Sequence, residues 1–425
     1  MKSSFIPSNY FMLIKIISFE TLILAHLFFT FTSSAEDNNW TGWLGEEKTG
    51  QVSNFQIPQK WPTNLSLQWS VHVGSGYASP LAVKDRIFIH TRMGEHELAA
   101  CLNIETGKTI WSKKYRAPFK MGGGGEKHGK GPKAHPVFKD EVFYTIGISG
   151  ILSAWNAENG ELIWRKVPGK AYGQPHAYWG VSNSPLVLDN QLINLFGNDE
   201  KGALISLDRN TGKTNWIIPC GGTCYSSPTY GILNGLKQVV VLHHESLIGV
   251  DYKSGEKLWE FSFPHKTHNQ NTTTPIVFEE KVFFGGENRG IHCIQPKFKN
   301  KKWTVNKLWS QKQVALNMAS PLIANQYLFG LSHYGLGRLF CINPKNGEIL
   351  WLGNPRTAQN STFLSFDQHI LNLTNHGQIQ ILRASKDRLH EIANYKIAGQ
   401  TWTPPVLTSN GLLIKNTENL SYHTF

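Results

Sequence analysis

The chain has 425 residues, of which 17% are charged and 40% are hydrophobic, and its formal net charge is +12. This length suits two or three ordinary domains or one large repeat domain. Its 39 glycines and 12% aromatic residues are typical of many short strands joined by tight turns. No long stretch of helical periodicity follows residue 35, so we expect an all-β protein with little helix.

The first 35 residues stand apart from the rest of the chain. Lysines precede a run rich in Leu, Ile and Phe, and small residues occupy Ser33–Ala35. This pattern predicts a secretory signal peptide over residues 1–35. Glu20 and His26 interrupt the apolar run, which disfavours a spanning helix, but an uncleaved N-terminal membrane anchor remains the alternative. We therefore expect an exported protein, either periplasmic or secreted.

A hairpin turn that ends in Trp recurs along the chain. In five copies a Gly precedes the Trp by four residues, at Gly107 and Trp111, Gly160 and Trp164, Gly212 and Trp216, Gly255 and Trp259, and Gly347 and Trp351. The Gly supplies the positive-φ corner of a tight hairpin. The Trp is a large apolar side chain that can pack between adjacent sheets. Such recurrence indicates a repeat fold.

Each repeat opens on a step in which Pro is followed by apolar residues. The prolines are Pro80, Pro136, Pro185, Pro228, Pro275 and Pro321, and a Trp follows each of them after 28 to 34 residues. Pro is expected at the first position of a strand because it cannot donate to a ladder. Each unit therefore predicts four strands.

The two ends of the chain each hold part of a unit. Thr401–Phe425 has the Pro step at Pro404 but no closing Trp, whereas Ser66–Val73 has Trp69 but no Pro step. We predict that the N-terminal strand completes the last blade, because ring closure protects sheet edges. The predicted blades are 77–115, 134–167, 182–219, 225–263, 272–311, 318–354, 361–397, and 401–425 with 66–73. The domains are then a signal peptide (1–35), a strap (36–65) and an eight-bladed β-propeller (66–425).

Basic residues cluster at 113–133 and 297–312, where the second cluster includes a long hairpin at Lys297–Lys302. Such clusters can attract nucleic acid, anionic polysaccharide or a membrane surface, although solvated surface loops are their more common role. No nucleic-acid-binding motif occurs, so we expect no nucleic-acid partner. The connections 116–133 and 168–181 are longer than their equivalents, and long loops often carry function.

The five cysteines cannot all pair within one chain. Cys101, Cys293 and Cys341 occupy matching strand positions and are expected to be small buried residues. A disulfide between Cys220 and Cys224 is left open. The histidines that could ligate a metal are His128, His135, His176, His243, His244, His265 and His268. A metal site needs several of them to converge, and we predict none.

The repeated turn and the Pro step resemble those of the pyrroloquinoline-quinone-like (quinoprotein-type) β-propeller repeat family, over about residues 40–425. The segments Trp40–Gly45 and Trp402–Val406 are similar to the opening and closing segments of exported single-propeller proteins of Planctomycetes and related bacteria. The architecture is also similar to the eight-bladed propeller lipoprotein of the outer-membrane assembly machinery, although no lipid-bearing Cys follows the apolar run.

The resemblance implies a fold that hosts many activities. The quinone-dependent alcohol dehydrogenases of this fold use an adjacent Cys-Cys disulfide, Ca²⁺ and an Asp base. This sequence has no adjacent cysteines, so no catalytic residue is carried over and no cofactor is expected. Pyrroloquinoline quinone with calcium stays the alternative, because soluble glucose dehydrogenases bind the quinone without that disulfide.

Residues just before each Pro step should surround the mouth of the central channel. They are Tyr77, His135, Trp179, Tyr225, Asn271, Asn317 and Trp402. Aromatic side chains there could stack on sugar rings or anchor a peptide. We predict a non-catalytic, monomeric binding scaffold for a protein or polysaccharide partner. A location at the membrane periphery is compatible with this prediction. The alternatives are a dehydrogenase of alcohols or sugars that depends on pyrroloquinoline quinone and calcium, and a polysaccharide-processing enzyme.

Overall fold

The structure is a computed structural model that describes residues 39–53, 55–123, 125–167, 177–266, 270–397 and 399–425. These residues belong to one compact unit, Asp37–Phe425. The predicted signal peptide, the histidines at 176 and 268, and most of the connection 168–181 lie outside the described residues.

Seven consecutive four-stranded antiparallel sheets follow one another along the chain. Blades 1 and 2 contain β2 Leu81–Val83, β3 Arg86–Met93, β4 His96–Asn103, β5 Thr109–Arg116, β6 Val137–Lys139, β7 Val142–Ile146, β8 Leu152–Asn156 and β9 Leu162–Lys166. Blades 3 and 4 contain β10 Leu186–Leu188, β11 Gln191–Gly197, β12 Gly202–Asp208, β13 Thr214–Cys220, β14 Thr229–Leu233, β15 Leu236–Leu242, β16 Ser246–Asp251 and β17 Lys257–Ser262.

Blades 5 to 7 continue the same order. Their strands are β18 Ile276–Phe278, β19 Lys281–Gly286, β20 Gly290–Lys299, β21 Lys302–Gln311, β22 Leu322–Ala324, β23 Tyr327–Ser332, β24 Arg338–Ile342, β25 Ile349–Leu352, β26 Ser361–Phe366, β27 His369–Thr374, β28 Gln378–Arg383 and β29 Glu391–Lys396. Blade 7 lacks the Pro step and the Trp, yet it forms a complete sheet. Its alternating apolar residues are therefore sufficient.

The eighth blade closes the ring. It contains β30 Val406–Leu407, β31 Gly411–Lys415 and β32 Asn419–Thr424, and its fourth strand is β1, Ser66–His72. β1 and β32 are antiparallel, with Ser66 opposite Thr424 and His72 opposite Asn419. The predicted all-β, eight-bladed propeller and its closure by the N-terminal strand are confirmed. Within the described ranges, the only helical element is a three-residue 3-10 turn at Glu126–His128.

The recurring Trp joins each blade to the next. Trp69 of blade 8 donates from Nε1 to the carbonyl of Ile104 in blade 1 at 2.9 Å. A Cβ on Gly107 would lie 2.7 Å from the Trp69 ring, so only glycine lets the turn rest on the indole. The same donor bond links Trp309 to the Pro344 carbonyl at 2.9 Å. The motif therefore encodes packing between blades as well as a turn.

Three of the motif's indoles lie opposite a small cysteine side chain. Cys101 lies opposite Trp111, Cys293 opposite Trp309 and Cys341 opposite Trp351. All three cysteines are fully buried, as expected, and burial raises the pKa of each thiol to about 12. Cys220 and Cys224 are also free thiols in the structure.

The propeller has two distinct faces. The four strands of a blade are antiparallel, so the start of the first strand and the turn between the second and third strands lie at the same edge of the sheet. We call this edge the rim face. The first hairpin turn and the Gly-Trp turn lie at the opposite edge, which we call the turn face. None of the described residues forms a helix with the length and apolarity needed to cross a membrane.

Candidate functional site

Residues that precede the Pro steps form a hydrogen-bonded chain around the central channel. The bonds run from Ser79 N–H to His135 Nδ1 at 2.8 Å, from His135 N–H to Ser184 Oγ at 2.9 Å, from Ser184 N–H to Ser227 Oγ at 2.9 Å, and from Thr274 N–H to Ser320 Oγ at 3.1 Å. Each backbone donor thus meets a side-chain acceptor at the matching position of the next blade. Short polar side chains are required because buried donors need partners.

The segment 39–53 crosses this channel. Trp43 stacks on His135 of blade 2, with ring centroids 4.6 Å apart and planes 8° apart. On its other side, the Trp43 indole donates from Nε1 to Oγ1 of Thr274 in blade 5 at 3.3 Å. Trp40 forms a two-way backbone bridge with Ala82 of blade 1. One short segment therefore ties three blades together across the axis.

The same segment is held by polar contacts near the turn face. Glu46 pairs with Lys139 of blade 2 at 2.7 Å, and Glu47 accepts a bond from the Tyr230 hydroxyl of blade 4 at 2.7 Å. The Val52 amide donates to the Ser365 carbonyl of blade 7. These contacts make the segment a floor for the channel. The boundaries of the strap at residues 36 and 65 stay a prediction.

A cavity of about 320 Å³ lies between this floor and the rim face. Its floor is formed by Trp40, Trp43 and Leu44. Its wall contains small polar residues, namely Ser79, Ser182, Ser227, Thr272, Thr274 and Ser320. Its mouth is aromatic, with Tyr77, His128, Trp179, Tyr225 and Trp402. An apolar cavity with a few convergent polar groups is the usual form of a binding site.

Five of the seven residues predicted for the channel mouth line this cavity: Tyr77, His135, Trp179, Tyr225 and Trp402. Asn271 and Asn317 are not among its lining residues. Asn271 is fully buried, and its Nδ2 donates to the carbonyls of His243 at 2.7 Å and Phe263 at 3.2 Å. The Asn317 carbonyl accepts a bond from the Thr272 hydroxyl. Ligand binding by the seven residues stays a prediction.

The two long connections meet at the mouth of the cavity. The Gly123 amide donates to the Tyr178 hydroxyl at 2.8 Å, and Lys133 Nζ donates to the Trp179 carbonyl at 2.9 Å. The Trp179 amide then donates to the Tyr225 hydroxyl at 3.2 Å. These bonds run from the connection between blades 1 and 2, through the connection between blades 2 and 3, to Tyr225 at the start of blade 4, along one side of the mouth.

On the opposite side of the mouth, His128 lies between two aromatic rings. Its ring meets Trp402 edge-on, with centroids 5.0 Å apart, and Tyr77 at 6.3 Å. Sequence reasoning placed His128 in a long connection but did not bring it to Trp402. It also missed Trp43 and Met318. A Trp-rich segment with no place in the repeat was the available signal for Trp43.

Lys133 is the only Lys, Arg, Asp or Glu among the described residues that line the cavity. Burial lowers the pKa of Lys133 to about 8. Burial also lowers the pKa of Lys48 to about 8, and nearby Glu46 opposes this shift. The pKa of His135 falls to about 3, first because of burial and second because of Lys48. His135 is therefore neutral at physiological pH. Because its Nδ1 accepts the Ser79 amide, its proton resides on Nε2.

The lining residues do not match the needs of a quinone and calcium site. Ca²⁺ prefers several oxygen ligands, with carboxylates among them. The described residues that line the cavity include no Asp or Glu. Across the described ranges, no group of three or more His, Cys, Asp or Glu residues is placed to hold a metal ion. The cavity lining therefore does not fit such a group, and the absence of a cofactor stays a prediction.

The paired histidines of blade 4 are engaged in structural bonds. His244 Nδ1 contacts the Asp199 carbonyl at 2.7 Å, and its Nε2 contacts Gln270 Oε1 at 2.5 Å. His243 is buried, and its Nδ1 accepts the Glu245 amide at 3.3 Å. Burial lowers the pKa of both imidazoles. The His244 ring therefore connects blade 4 to Asp199 of blade 3 and to Gln270, whereas the His243 ring bonds within a turn of blade 4.

The sequence pattern of a known family, described as Outer membrane protein assembly factor BamB, matches residues 94–352. The chain belongs to this family. Members of the family that resemble it include the proteins of that name from Shewanella oneidensis and Salmonella typhimurium. The first is 24% identical over 260 residues, which cover 50% of this chain and 59% of the relative. The second is 22% identical over 299 residues, which cover 67% of this chain and 71% of the relative.

Two of the matching relatives are covered only in part. The match spans 59% of the Shewanella oneidensis protein and 45% of the Kangiella koreensis protein, which is 26% identical over 197 residues. The chain therefore spans about half the length of these relatives. The similarity of the repeat to quinoprotein-type propellers is confirmed, whereas the special similarity to proteins of Planctomycetes stays a prediction.

Solved structures show the same fold. BamB from Moraxella catarrhalis superposes with a TM-score of 0.60 at 16% identity and covers 85% of this chain and 98% of that one. The quinohemoprotein alcohol dehydrogenase from Comamonas testosteroni superposes with a TM-score of 0.64 at 11% identity and covers 91% and 80%. At such identities the likeness concerns the fold alone, because one fold hosts many activities.

Proposed function

We propose that this protein is a non-catalytic scaffold that binds a protein partner at the cavity mouth on its rim face. The single observation that carries the proposal is a cavity that has an aromatic mouth, is closed at its floor and has no carboxylate among its described lining residues. The relatives in its family are named outer membrane protein assembly factors, which supports a partner of that kind and an exported, periplasmic location. We further propose that the scaffold acts as a monomer.

The chemistry of the mouth favours a polypeptide segment. Tyr178 and Met318 are about half exposed beside the ring of Trp179, Tyr225 and Trp402, and such side chains serve as anchors at protein interfaces. A cavity of about 320 Å³ suits one or two apolar side chains of the partner. Lys133, which lies at the same mouth, favours an acidic group next to them.

Site-specific photo-crosslinking tests this proposal. A photoreactive residue replaces Tyr178 or Met318 at the rim face, or Ile110 on the outer strand of blade 1 as the control; all three side chains are exposed. We expect one polypeptide adduct, identified by mass spectrometry, from the two rim positions and none from Ile110. Adding Trp402→Ala should abolish that adduct while the urea midpoint stays within the range of the other variants. Equal labelling at Ile110 would contradict a rim-face site.

The dehydrogenase alternative has its own test. A quinone that binds the folded protein and is present at 100 times its dissociation constant should stabilise the protein by about 2.7 kcal/mol. A thermal-shift titration with pyrroloquinoline quinone, with and without Ca²⁺, measures this directly. A Ca²⁺-dependent rise in melting temperature would contradict the proposal of a non-catalytic scaffold and favour a dehydrogenase. If the crosslinked adduct is a glycan and no polypeptide adduct forms, the result favours the polysaccharide alternative instead.

A further inference from the structure

The long hairpin of blade 5 carries a segregated basic and aromatic surface. β20 and β21 have ten residues each and are longer than every other strand in the described ranges. Phe298 lies opposite Trp303, with ring centroids 5.3 Å apart, whereas Lys299 lies opposite Lys302. Because side chains alternate along a strand, the aromatic pair and the lysines project from opposite faces of the hairpin.

The hairpin contacts the first turn of blade 4. The Phe298 amide donates to Oδ1 of Asn234 at 3.4 Å. Beside that turn, Ile232 is 63% exposed, and Leu236 is also exposed. Phe298 itself is 47% exposed. We call this set the hairpin patch; it contains Ile232, Leu236, Phe298, Trp303 and the lysines 297, 299, 301 and 302.

The positions of the lysines in the hairpin patch lower the stability of the protein when it has no partner. Like charges that lie directly opposite each other, as Lys299 and Lys302 do, destabilise a strand pair. Within the described ranges, none of the four lysines lies within 4.0 Å of a carboxylate oxygen. The nearby acids are engaged elsewhere: Glu279 pairs with Lys281 at 3.2 Å, and Glu280 accepts the Gly235 amide at 3.3 Å. An external anionic surface would relieve this repulsion.

We propose that the hairpin patch docks the propeller on an anionic phospholipid membrane. Because its lysines and its aromatic pair project from opposite faces, the hairpin meets the membrane with its tip: the lysines attract the surface charge, and the exposed Phe, Ile and Leu side chains near the turns enter the interface between headgroups and acyl chains. A polyanion without lipid would engage the lysines but would give the exposed apolar side chains no favourable contact. The hairpin patch lies at the turn face, where the Gly-Trp turns lie, so docking leaves the cavity mouth on the rim face open.

Vesicle flotation of the full chain tests the proposal, with vesicles of phosphatidylcholine alone or mixed with phosphatidylglycerol. The test variant replaces Lys299, Lys301 and Lys302 by Ala. The control replaces Lys113, Lys114 and Arg116 by Ala; these residues are exposed on the outer strand of blade 1 and carry the same charge. Every protein keeps the same N-terminus, so any difference in binding reports the replaced residues.

We expect binding only to the anionic vesicles, and a loss on the order of 100-fold in the partition coefficient for the hairpin variant. The control should lose far less. Phe298→Ser should weaken vesicle binding several-fold and leave retention on dextran sulfate unchanged. Thermal unfolding checks folding, and the hairpin variant should be no less stable because a repulsion is removed. The proposal would be overturned if both triple variants lost vesicle binding equally. It would also be overturned if Phe298→Ser left vesicle binding unchanged, and that second result would favour a polyanion as the ligand.

Discussion

Trp111 of blade 1 lies directly beneath Gly160 of blade 2. The indole donates from Nε1 to the Ala157 carbonyl at 2.9 Å, and a Cβ on Gly160 would lie 2.5 Å from the Trp111 ring. The φ of Gly160 is +73°, a conformation that side chains disfavour. Two requirements, one for the turn and one for close approach, therefore fall on the same glycine.

The first prediction separates these two requirements. Gly160→Ala should destabilise the protein by about 3 kcal/mol, because it combines backbone strain with overpacking. Gly235→Ala is the matched control: its φ is +75°, and no atom lies within 4 Å of its added Cβ. That control should cost about 1 kcal/mol. Urea unfolding measures both, and equal losses would show that the indole contact adds nothing.

The second prediction concerns the floor of the cavity. Trp43→Ala should cost about 3 kcal/mol, because it removes the stack on His135 and leaves a void in the channel. Trp43→Phe keeps a ring but loses the bond to Thr274, and it should cost about 1 kcal/mol. Urea denaturation gives both values. If the two variants unfold at the same urea concentration, the ring itself does not hold the segment.

The third prediction is a pH dependence. The pKa of His135 in the folded protein is about 3, below its ordinary value of 6.5. Between these values the unfolded chain takes up a proton that the folded protein does not, so stability falls as pH falls from 6.5 towards 3. The slope from this group is at most about 1.4 kcal/mol per pH unit.

His135→Gln should remove that component while its amide oxygen replaces the acceptor for the Ser79 amide. His376→Gln, which removes an exposed imidazole, is the control. Urea midpoints measured at successive pH values should decline less steeply for His135→Gln than for the other two proteins. Parallel declines in all three would contradict a buried neutral His135.

The fourth prediction concerns ring closure. Lys415 of blade 8 is fully buried, and its Nζ donates to the carbonyls of Gly76 at 2.6 Å, Asn416 at 3.1 Å and Thr417 at 3.2 Å. Burial lowers its pKa from 10.5 to about 7, against the opposing effect of Glu418. Between these values the unfolded chain holds a proton that the folded protein lacks, so the contribution of Lys415 to stability grows as pH rises.

Lys415→Met removes this titration and leaves the three carbonyls without their donor. The difference in unfolding free energy between the natural protein and Lys415→Met should therefore widen from pH 7 towards pH 10. Urea unfolding across that range provides the measurement. A constant difference would mean that the lysine stays charged throughout and acts only as a hydrogen-bond donor.

The sequence by itself determined the blades and their number. The Pro step and the Gly-Trp turn are local patterns, and each one specifies a strand start or a hairpin within about ten residues. The Pro steps mark seven of the eight units, and the half units at the two ends, with Trp69 on one of them, predicted closure. Blade 7 was legible from alternation alone, because the side-chain period of a strand is local as well.

Only the tertiary structure decided the site. Trp43 reaches His135 and Thr274 across 92 and 231 positions of the chain, and no local pattern encodes such a meeting. The residues before the Pro steps were predicted as a group, yet five of them line the cavity while Asn271 turns to backbone carbonyls. Which way a side chain turns depends on the packing of neighbouring blades. Repeat periodicity fixes where strands lie around the axis, and three-dimensional packing fixes what they enclose.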